Sequence, residues 1–486
     1  MNFRLIAKTL GQILIFISLS MAVALPWCFK EEPGGRECLN AFLTSMLVGV
    51  ALGGGLWILG RRASRQFFRR EGLATVAFAW ILIAGVGALP FYFSGFFPGN
   101  YLDCYFEAMS GFTTTGATIL DKIEPIPKSL LFWRAFTQWL GGMGIIVLFI
   151  SIFPALGIEA KHLYQVEVPG IEKKGIMPRI RDTASILWRI YLCFTAWEIF
   201  LLLLGGASFF DACAHTFTTL ATGGFSTYTA SISGFNSLYI ELVIVLFMFL
   251  VGVNFSLYAR AFQGNIRPLV RNREFLTYVS FLLGAVIFLW ISLLVFRDYS
   301  SPFSALRNAL FQAVSIMTTT GYATADFDRW NDFARFFLLG LMFIGGCTGS
   351  TGGSIKVMRI MITIKTAGME LKKFFFPKRV ISLKLGKEPV EKEVISLVFG
   401  FIVLFIGAFI ISTFALLAMG LDPITSMSAT IACLGNIGPG LAKVGPATHY
   451  FHLPYPAKAL LSFLMVMGRL EVYPVLLLFL PGFWRK

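Results

Sequence analysis

Charge is the first thing this sequence lacks. Only 14% of its 486 residues are Asp, Glu, Lys or Arg, against about 25% in soluble chains. That deficit excludes an ordinary cytosolic enzyme and a disordered regulator. Histidine is equally scarce, with four in the whole chain, and none is grouped in a metal-like way. The seven cysteines include no C-x-x-C pair, which leaves no metal or redox framework. Cys28 and Cys38 flank one polar loop; they either pair across it or stay as two thiols. No G-x-G-x-x-G fingerprint and no phosphate loop is present, and no room exists between apolar runs for a nucleotide domain. No clustered His, Cys or carboxylate set supports catalysis, so neither an enzyme nor a resident cofactor is expected.

Apolar residues fill the space these absences leave. Hydrophobic residues make up 56%, with 51 Phe and 47 Gly, a balance that fits closely packed membrane helices. Ten candidate spans stand out at about 8–28, 40–60, 72–95, 133–157, 184–206, 236–259, 275–296, 331–364, 394–420 and 456–483. The Lys and Arg residues fall mostly in alternate connections: five Arg in 61–71, five Lys and Arg in 158–181, four Arg in 260–273 and eight Lys and Arg in 365–392. The positive-inside rule then sets both termini in the cytoplasm. The net charge of +15 reads as this asymmetry and not as a nucleic-acid surface. The first apolar run carries no cleavage pattern and is expected to remain as an anchor in the cytoplasmic membrane.

The opposite connections are not plain loops. Residues 106–116 read FEAMSGFTTTG and 311–321 read FQAVSIMTTTG, identical at seven of eleven positions. HTFTTLATGGFST at 215–227 and SATIACLGNIGPG at 428–440 are weaker copies. Aligned on Gly116, Gly223, Gly321 and Gly438, each copy lies between one span and the next. The repeating unit is therefore span, short re-entrant helix, glycine loop, span. Four units are expected, over 66–160, 161–265, 266–375 and 376–486, after a two-helix extension over 1–65. The fold class is an all-α polytopic membrane protein with pseudo-fourfold repeats around one axis.

Non-helical backbone at membrane depth must be buried in protein or line water. Four such loops around one axis can offer carbonyl oxygens in place of a cation's hydration shell. Glycine permits the required positive φ, and the Thr runs add stiff side chains with hydroxyls. No acidic ring occurs at the aligned positions, which disfavours a divalent-cation filter. The candidate ion-contacting residues are Thr114, Thr115, Gly116, Ala221, Thr222, Gly223, Thr319, Thr320, Gly321, Asn436, Ile437 and Gly438.

The motifs TTTGAT at 113–118, ATGGFST at 221–227, TTTGYAT at 318–324 and NIGPG at 436–440 resemble those of the transmembrane subunit of the bacterial Trk potassium-uptake family. Its wider relatives are the Ktr subunits and the fungal and plant Trk/HKT transporters. The resemblance runs through the whole chain, including the two additional N-terminal spans. It implies a potassium filter with potassium ion as substrate, because sodium-selective relatives often carry Ser at the first glycine, where this chain has Gly116. Ala221 departs from the Thr pattern. The resemblance also implies a homodimer and a cytoplasmic nucleotide-binding regulatory ring of the RCK type.

Two features suggest a gate. GGCTGSTGGS at 345–354 holds five glycines in ten residues, each costing a helix roughly 1 kcal/mol relative to Ala. This span should break into a loop containing Gly345, Gly346, Thr348, Gly349, Ser350, Thr351, Gly352 and Gly353. It either blocks the path or serves close helix packing. Arg469 lies inside the last span, where a charge is expensive and needs a cavity or partner; it pairs with Glu471 or another acid, or, as the resemblance implies, projects toward the pore beneath the filter. Glu107 and Asp211 hold the loops or concentrate cations, and Glu198 and Glu241 are expected to be structural. The basic stretch 365–393 meets anionic lipid or a cytoplasmic partner, with Lys372, Lys373, Lys378 and Arg379 as the docking candidates. The competing reading is a proton- or sodium-coupled potassium symporter working by alternating access.

Overall fold

A computed structural model describes residues 1–30, 34–63, 69–152, 180–376, 383–385 and 388–484. Six of its helices are long and apolar enough to cross a membrane, and a bent pair makes a seventh span. The first two, Phe3–Cys28 and Gly35–Gly60, pack backbone to backbone. A Cβ on Gly11 would come within 3.1 Å of three backbone atoms of Gly53 and Trp57. Small residues allow this close approach, which is how helices associate where lipid supplies no hydrophobic driving force.

Four short helices lead into the glycine motifs: Tyr101–Phe112, Phe209–Leu220, Pro302–Met317 and Pro423–Leu434. At 1.5 Å per residue a 12-residue helix covers about 18 Å of a core about 30 Å thick. Their starts are coded locally. Asn100 and Asp103 form a capping box, Ser208 accepts from the Asp211 N–H, and Asp422 from that of Thr425. Their ends are buried, and each gives way to an irregular turn in the interior.

Three predicted spans are not continuous helices. The run 331–364 breaks as expected, into Asp332–Leu341 and Val357–Phe375. The run 236–259, read as one span, bends by 95° between Leu238–Val251 and Phe255–Phe262. The reason is local: Gly252 ends the first helix, and the Asn254 side chain caps the second by accepting from the Ser256 N–H at 2.8 Å. The last run stops at Arg469, and Glu471 and Val472 take positive φ before Tyr473–Leu477 begins. A two-residue antiparallel ladder pairs Lys384 with Pro389. Cys28 and Cys38 lie buried as thiols.

Buried ion pairs lock the short helices to the spans. Asp103 pairs with Lys458 where both side chains are almost wholly enclosed, and Lys458 also donates to the Phe451 carbonyl at 3.0 Å. Arg134 meets Glu107 at 2.6 Å, again fully buried. A third pair is buried on one side only: Arg307 Nε, on a partly exposed side chain, meets the buried Glu241 at 2.7 Å. Removing one partner of an enclosed pair strands the other charge and costs about 3–5 kcal/mol. Lys458→Ala is therefore expected to lower the unfolding temperature in detergent clearly more than Lys373→Ala, whose exposed pair with Glu370 contributes about 0–1 kcal/mol. Equal shifts in a thermal unfolding series would show that the Asp103–Lys458 pair holds nothing.

Candidate functional site: four turns in a ring

Each short helix ends in the same backbone turn. The first residue past its C-cap has positive φ: Thr114 54°, Thr222 55°, Thr319 60° and Asn436 54°. Two residues later comes a glycine with positive φ: Gly116 82°, Gly224 75°, Gly321 81° and Gly438 101°. Amide hydrogens fold back onto the helix in the same register throughout. Thr114 and Thr115 donate to Gly111 and Ser110, Thr222 and Gly223 to Thr219 and Thr218, Thr319 and Thr320 to Ile316 and Ser315, and Asn436 and Ile437 to Cys433 and Ala432. This is the Schellman closure of a helix C-terminus. Asn tolerates the left-handed position, whereas β-branched Thr there is a genuine outlier. Three strained threonines at one locus mark a place where the surroundings impose the backbone.

The second turn corrects the sequence alignment by one residue. Its positive-φ glycine is Gly224, so Gly223 stands where Thr115, Thr320 and Ile437 stand in the other turns. Two adjacent glycines in ATGGFST gave the alignment a choice, and only the helix end at Leu220 decides it.

The turns close on one another. A Cβ on Gly116 would lie closer than 3.0 Å to the Gly223 carbonyl oxygen, one on Gly224 to that of Thr320, one on Gly321 to that of Ile437, and one on Gly438 to that of Thr115. Each glycine thus receives the carbonyl of the next turn, and the fourth returns to the first. With their N–H groups spent on the helices, the turns leave carbonyls to line the ring. Those of Thr114, Thr115, Thr319, Thr320 and Ile437 accept no hydrogen bond among the described residues. Four helix C-termini converge here, each equivalent to roughly half a negative charge. The arrangement favours a cation at the centre.

The Thr hydroxyls serve the wall. Thr113 and Thr115 pair at 2.8 Å, Thr318 and Thr320 at 2.8 Å, and Asn436 Nδ2 donates to Thr115 Oγ1 at 3.0 Å. The sequence reading had offered these hydroxyls to the ion; their partners are one another.

On one side of the ring is a cavity of about 70 Å³ lined by all four glycines, with Arg134 and Tyr450 in its wall. Glu107 braces that side by accepting from the Thr118 hydroxyl at 2.9 Å and the Ile119 N–H at 2.8 Å. Arg134 donates to the Ser226 carbonyl at 3.1 Å and stacks on Phe225. Asp211 accepts from the Thr227 hydroxyl at 2.6 Å. Both acids hold loops. Further out, burial pushes the Glu124 carboxyl up, but hydrogen bonds from the Thr229 hydroxyl and N–H, with further backbone hydrogen bonds, together outweigh it and hold it below its usual range.

Against the other side lies the broken span. A Cβ on Gly353 would meet the Gly435 carbonyl, and one on Gly352 would lie 3.0 Å from that of Thr318; the Gly353 N–H donates to Thr319 Oγ1 at 2.7 Å. Gly345 N–H bonds the Ile355 carbonyl at 2.9 Å, so the loop doubles back on itself. Two of its backbone groups bond the other break: Cys347 N–H donates to the Gly252 carbonyl at 2.8 Å and Phe255 N–H to the Gly349 carbonyl at 3.2 Å. Thr348 N–H goes to Glu274 at 2.6 Å. Lys356 Nζ holds the Gly352 carbonyl and lies 3.4 Å from the Ser350 hydroxyl. A Cβ on Gly346 would lie 2.8 Å from the Gly252 carbonyl.

Arg469 is buried below the ring and spans it. One guanidinium nitrogen donates to the Thr351 carbonyl at 2.8 Å and another to the Gly141 carbonyl at 3.0 Å, on separate spans. Glu471 makes its ion pair with Arg359, and its charge also acts on Arg469.

Comparison with known proteins supplies the family. The family model for TrkH, described as a cation transport protein, matches residues 39–486. The chain belongs to the TrkH family of cation transport proteins. Among its TrkH-family relatives, the Trk system potassium uptake protein TrkH of Escherichia coli K12 is 38% identical over all of both chains. TrkG of the same strain is 33% identical, covering 100% of this chain and 99% of its own. The crystal structure of the potassium transporter TrkH from Vibrio parahaemolyticus superposes with a TM-score of 0.90 at 36% identity, covering both chains fully.

Several residues of this TrkH-family site were not singled out in the sequence. Arg134 and Lys458 were findable as charges inside apolar runs. Asn254, Glu274 and Gln138 carried no signal of their own. Of the docking candidates, Lys372 and Lys373 lie in the last turn of Val357–Phe375, while Lys378 and Arg379 lie outside the described residues, as do most of 158–181 and residues 485–486.

Steric closure of the ring makes a sharp prediction. Gly116→Ala meets the next turn's carbonyl, whereas Gly206→Ala has equal backbone strain at φ 87° but nothing within 4 Å. Cation flux is expected to fall more than tenfold in the first and stay within about twofold in the second. Equal losses in an uptake assay would refute the closure.

Proposed function

We propose that this chain is a gated potassium-uptake pore of the Trk system, in the bacterial cytoplasmic membrane, with both termini cytoplasmic. The observation that carries the reading is the cyclic seating of each glycine on the next turn's carbonyl, which builds one dehydrating ring from four turns. Its relatives are named potassium uptake proteins, and a monovalent cation suits carbonyl oxygens without carboxylates. The ring comprises Thr114–Gly116, Thr222–Gly224, Thr319–Gly321 and Asn436–Gly438, and Ala221 caps the helix behind it.

The gate is the 345–354 loop held by Arg469. In the arrangement described, a fixed positive charge and a plug of backbone stand beneath the ring, so cations are repelled and the path is filled. Opening requires the loop to leave the Thr319 hydroxyl and Arg469 to release Thr351 or Gly141. Val357–Phe375 follows the loop directly, so a force on that helix reaches the plug. A homodimer with a nucleotide-binding RCK-type ring on the cytoplasmic face suits this lever. Neutralising Lys372, Lys373, Lys378 and Arg379 together is expected to abolish its pull-down; full retention counts against docking there.

Rubidium uptake in a potassium-transport-deficient cell tests the function. The native chain is expected to restore growth on low potassium, and Gly116→Ser to admit sodium. In bilayers the reversal potential is expected to follow the potassium gradient alone; a shift with proton or sodium gradients would instead establish coupled symport. Arg469→Ala is expected to raise basal flux severalfold, since one buried cation at this range changes an ion's energy by well over 1.4 kcal/mol. Unchanged flux at equal expression would remove Arg469 from the gate.

A further inference from the structure

Three of the four turns brace their own walls. The first and third do so with paired hydroxyls, Thr113 with Thr115 and Thr318 with Thr320. The fourth uses Asn436, whose amide reaches Thr115 and, at 2.9 Å, the Met465 carbonyl. The second turn has Ala221 and Gly223 at the places of the paired threonines, so it cannot make this brace.

Gln138, on Lys128–Ile152 and with no exposed surface, stands there instead. Its Nε2 donates to the Gly223 carbonyl at 2.7 Å, and its Oε1 accepts from the Phe225 N–H at 3.2 Å. The Phe225 donor fixes which end of the amide is oxygen. A Cβ on Gly223 would lie closer than 3.0 Å to three atoms of this amide. The amide therefore occupies the volume in which a threonine side chain would sit. The last span carries Met465 at the matching place, a register set by Gly141 and Gly468, whose absent Cβ atoms face the Phe112 and Leu434 carbonyls. A polar brace is thus not general to this helix position. At the level of Thr115, Gly223, Thr320 and Ile437, only the Gly223 carbonyl accepts a side-chain hydrogen bond among the described residues.

We infer that Gln138 is a positioning residue that replaces the missing threonine pair and fixes the Gly223 carbonyl, and with it the ring's preference for potassium over sodium. The inference rests on the potassium-pore reading above. Potassium selectivity needs carbonyls held apart, or held at a set number and field strength; free movement of one toward a smaller ion weakens either. Gly223 has no side chain to resist that movement.

The test is potassium and sodium flux through the full chain in proteoliposomes. Gln138→Met keeps the volume and removes the amide; it is expected to lower the potassium-over-sodium ratio about tenfold, as one lost hydrogen bond allows, while total flux stays measurable. Gly223→Thr alone is expected to abolish flux, because the new side chain meets the Gln138 amide. Combining Gln138→Ala with Ala221→Thr and Gly223→Thr rebuilds the hydroxyl pair and is expected to restore both flux and preference. A native ratio in Gln138→Met, or failure of the triple variant to recover, overturns the inference. Should Gln138→Met yield no monodisperse protein, the triple variant alone decides. Gly116→Ser separates the two readings. If it leaves the preference intact, the filter reading fails; if it destroys the preference while Gln138→Met does not, only the role of Gln138 fails.

Discussion

The structure depends on one contact made four times: a carbonyl oxygen seated where a glycine lacks its Cβ. The contact has two requirements that no other residue meets together. The backbone needs φ near +80° at Gly116, Gly224 and Gly321, and the space beside it is already filled by the next turn. Because the contacts run first to second, second to third, third to fourth and fourth to first, no turn can shift without moving its neighbour. The buried pairs Asp103–Lys458 and Glu107–Arg134 then fix the helices that deliver the turns. Their desolvation is expensive, and what they secure is the placement of four helix ends whose own dipoles favour a cation.

Two breaks in the membrane helices are mutually dependent. A helix that stops at mid-membrane exposes N–H and C=O groups that lipid cannot satisfy. The break at Gly252–Asn254 and the loop 345–354 exchange two backbone hydrogen bonds, so each supplies what the other lacks. That makes the loop a fitted part and not a slack connection. It also limits how the loop can leave: the Gly252 carbonyl and the Phe255 N–H must find water or another partner at the same moment. On the gated-pore reading proposed above, water below the ring is that partner, so that opening of the path is coupled to the solvation that stabilises it.

Much of this was legible in the chain. The apolar runs follow from local composition because they suit lipid, and the four glycine motifs, the broken third-unit span and the intramembrane charge at Arg469 because each departs from what lipid tolerates. Less was legible where the signal was relational. Gly223 and Gly224 are equally good glycines, and only the end of the preceding helix distinguishes them. The 95° bend at Gly252 hid inside a fully apolar run, because a single Gly followed by Asn is a weak break until the opposing loop is known. The threonine hydroxyls suggested ion contacts, but two residues apart on a tight turn they reach each other first. Gln138 could not be seen at all, since its meaning lies in what Ala221 and Gly223 lack, 83 and 85 positions away.

The choice of arginine at 469 follows from the shape of the place it fills. The matching positions on the first two pore-side spans are Gly142 and Gly252, where a Cβ would strike Ala221 or the Tyr278 hydroxyl. The last span carries a long side chain instead. A guanidinium is planar and directs its donors outward in a fork, so it can reach Thr351 on one span and Gly141 on another at once. A lysine has the charge but gathers its donors at one point and would hold one carbonyl at a time. The bridge between opposite walls, and not the charge alone, is what ties the loop to the rest of the ring. A charge alone has no direction, whereas the two-ended hydrogen bond keeps the loop in register with the turns beside it.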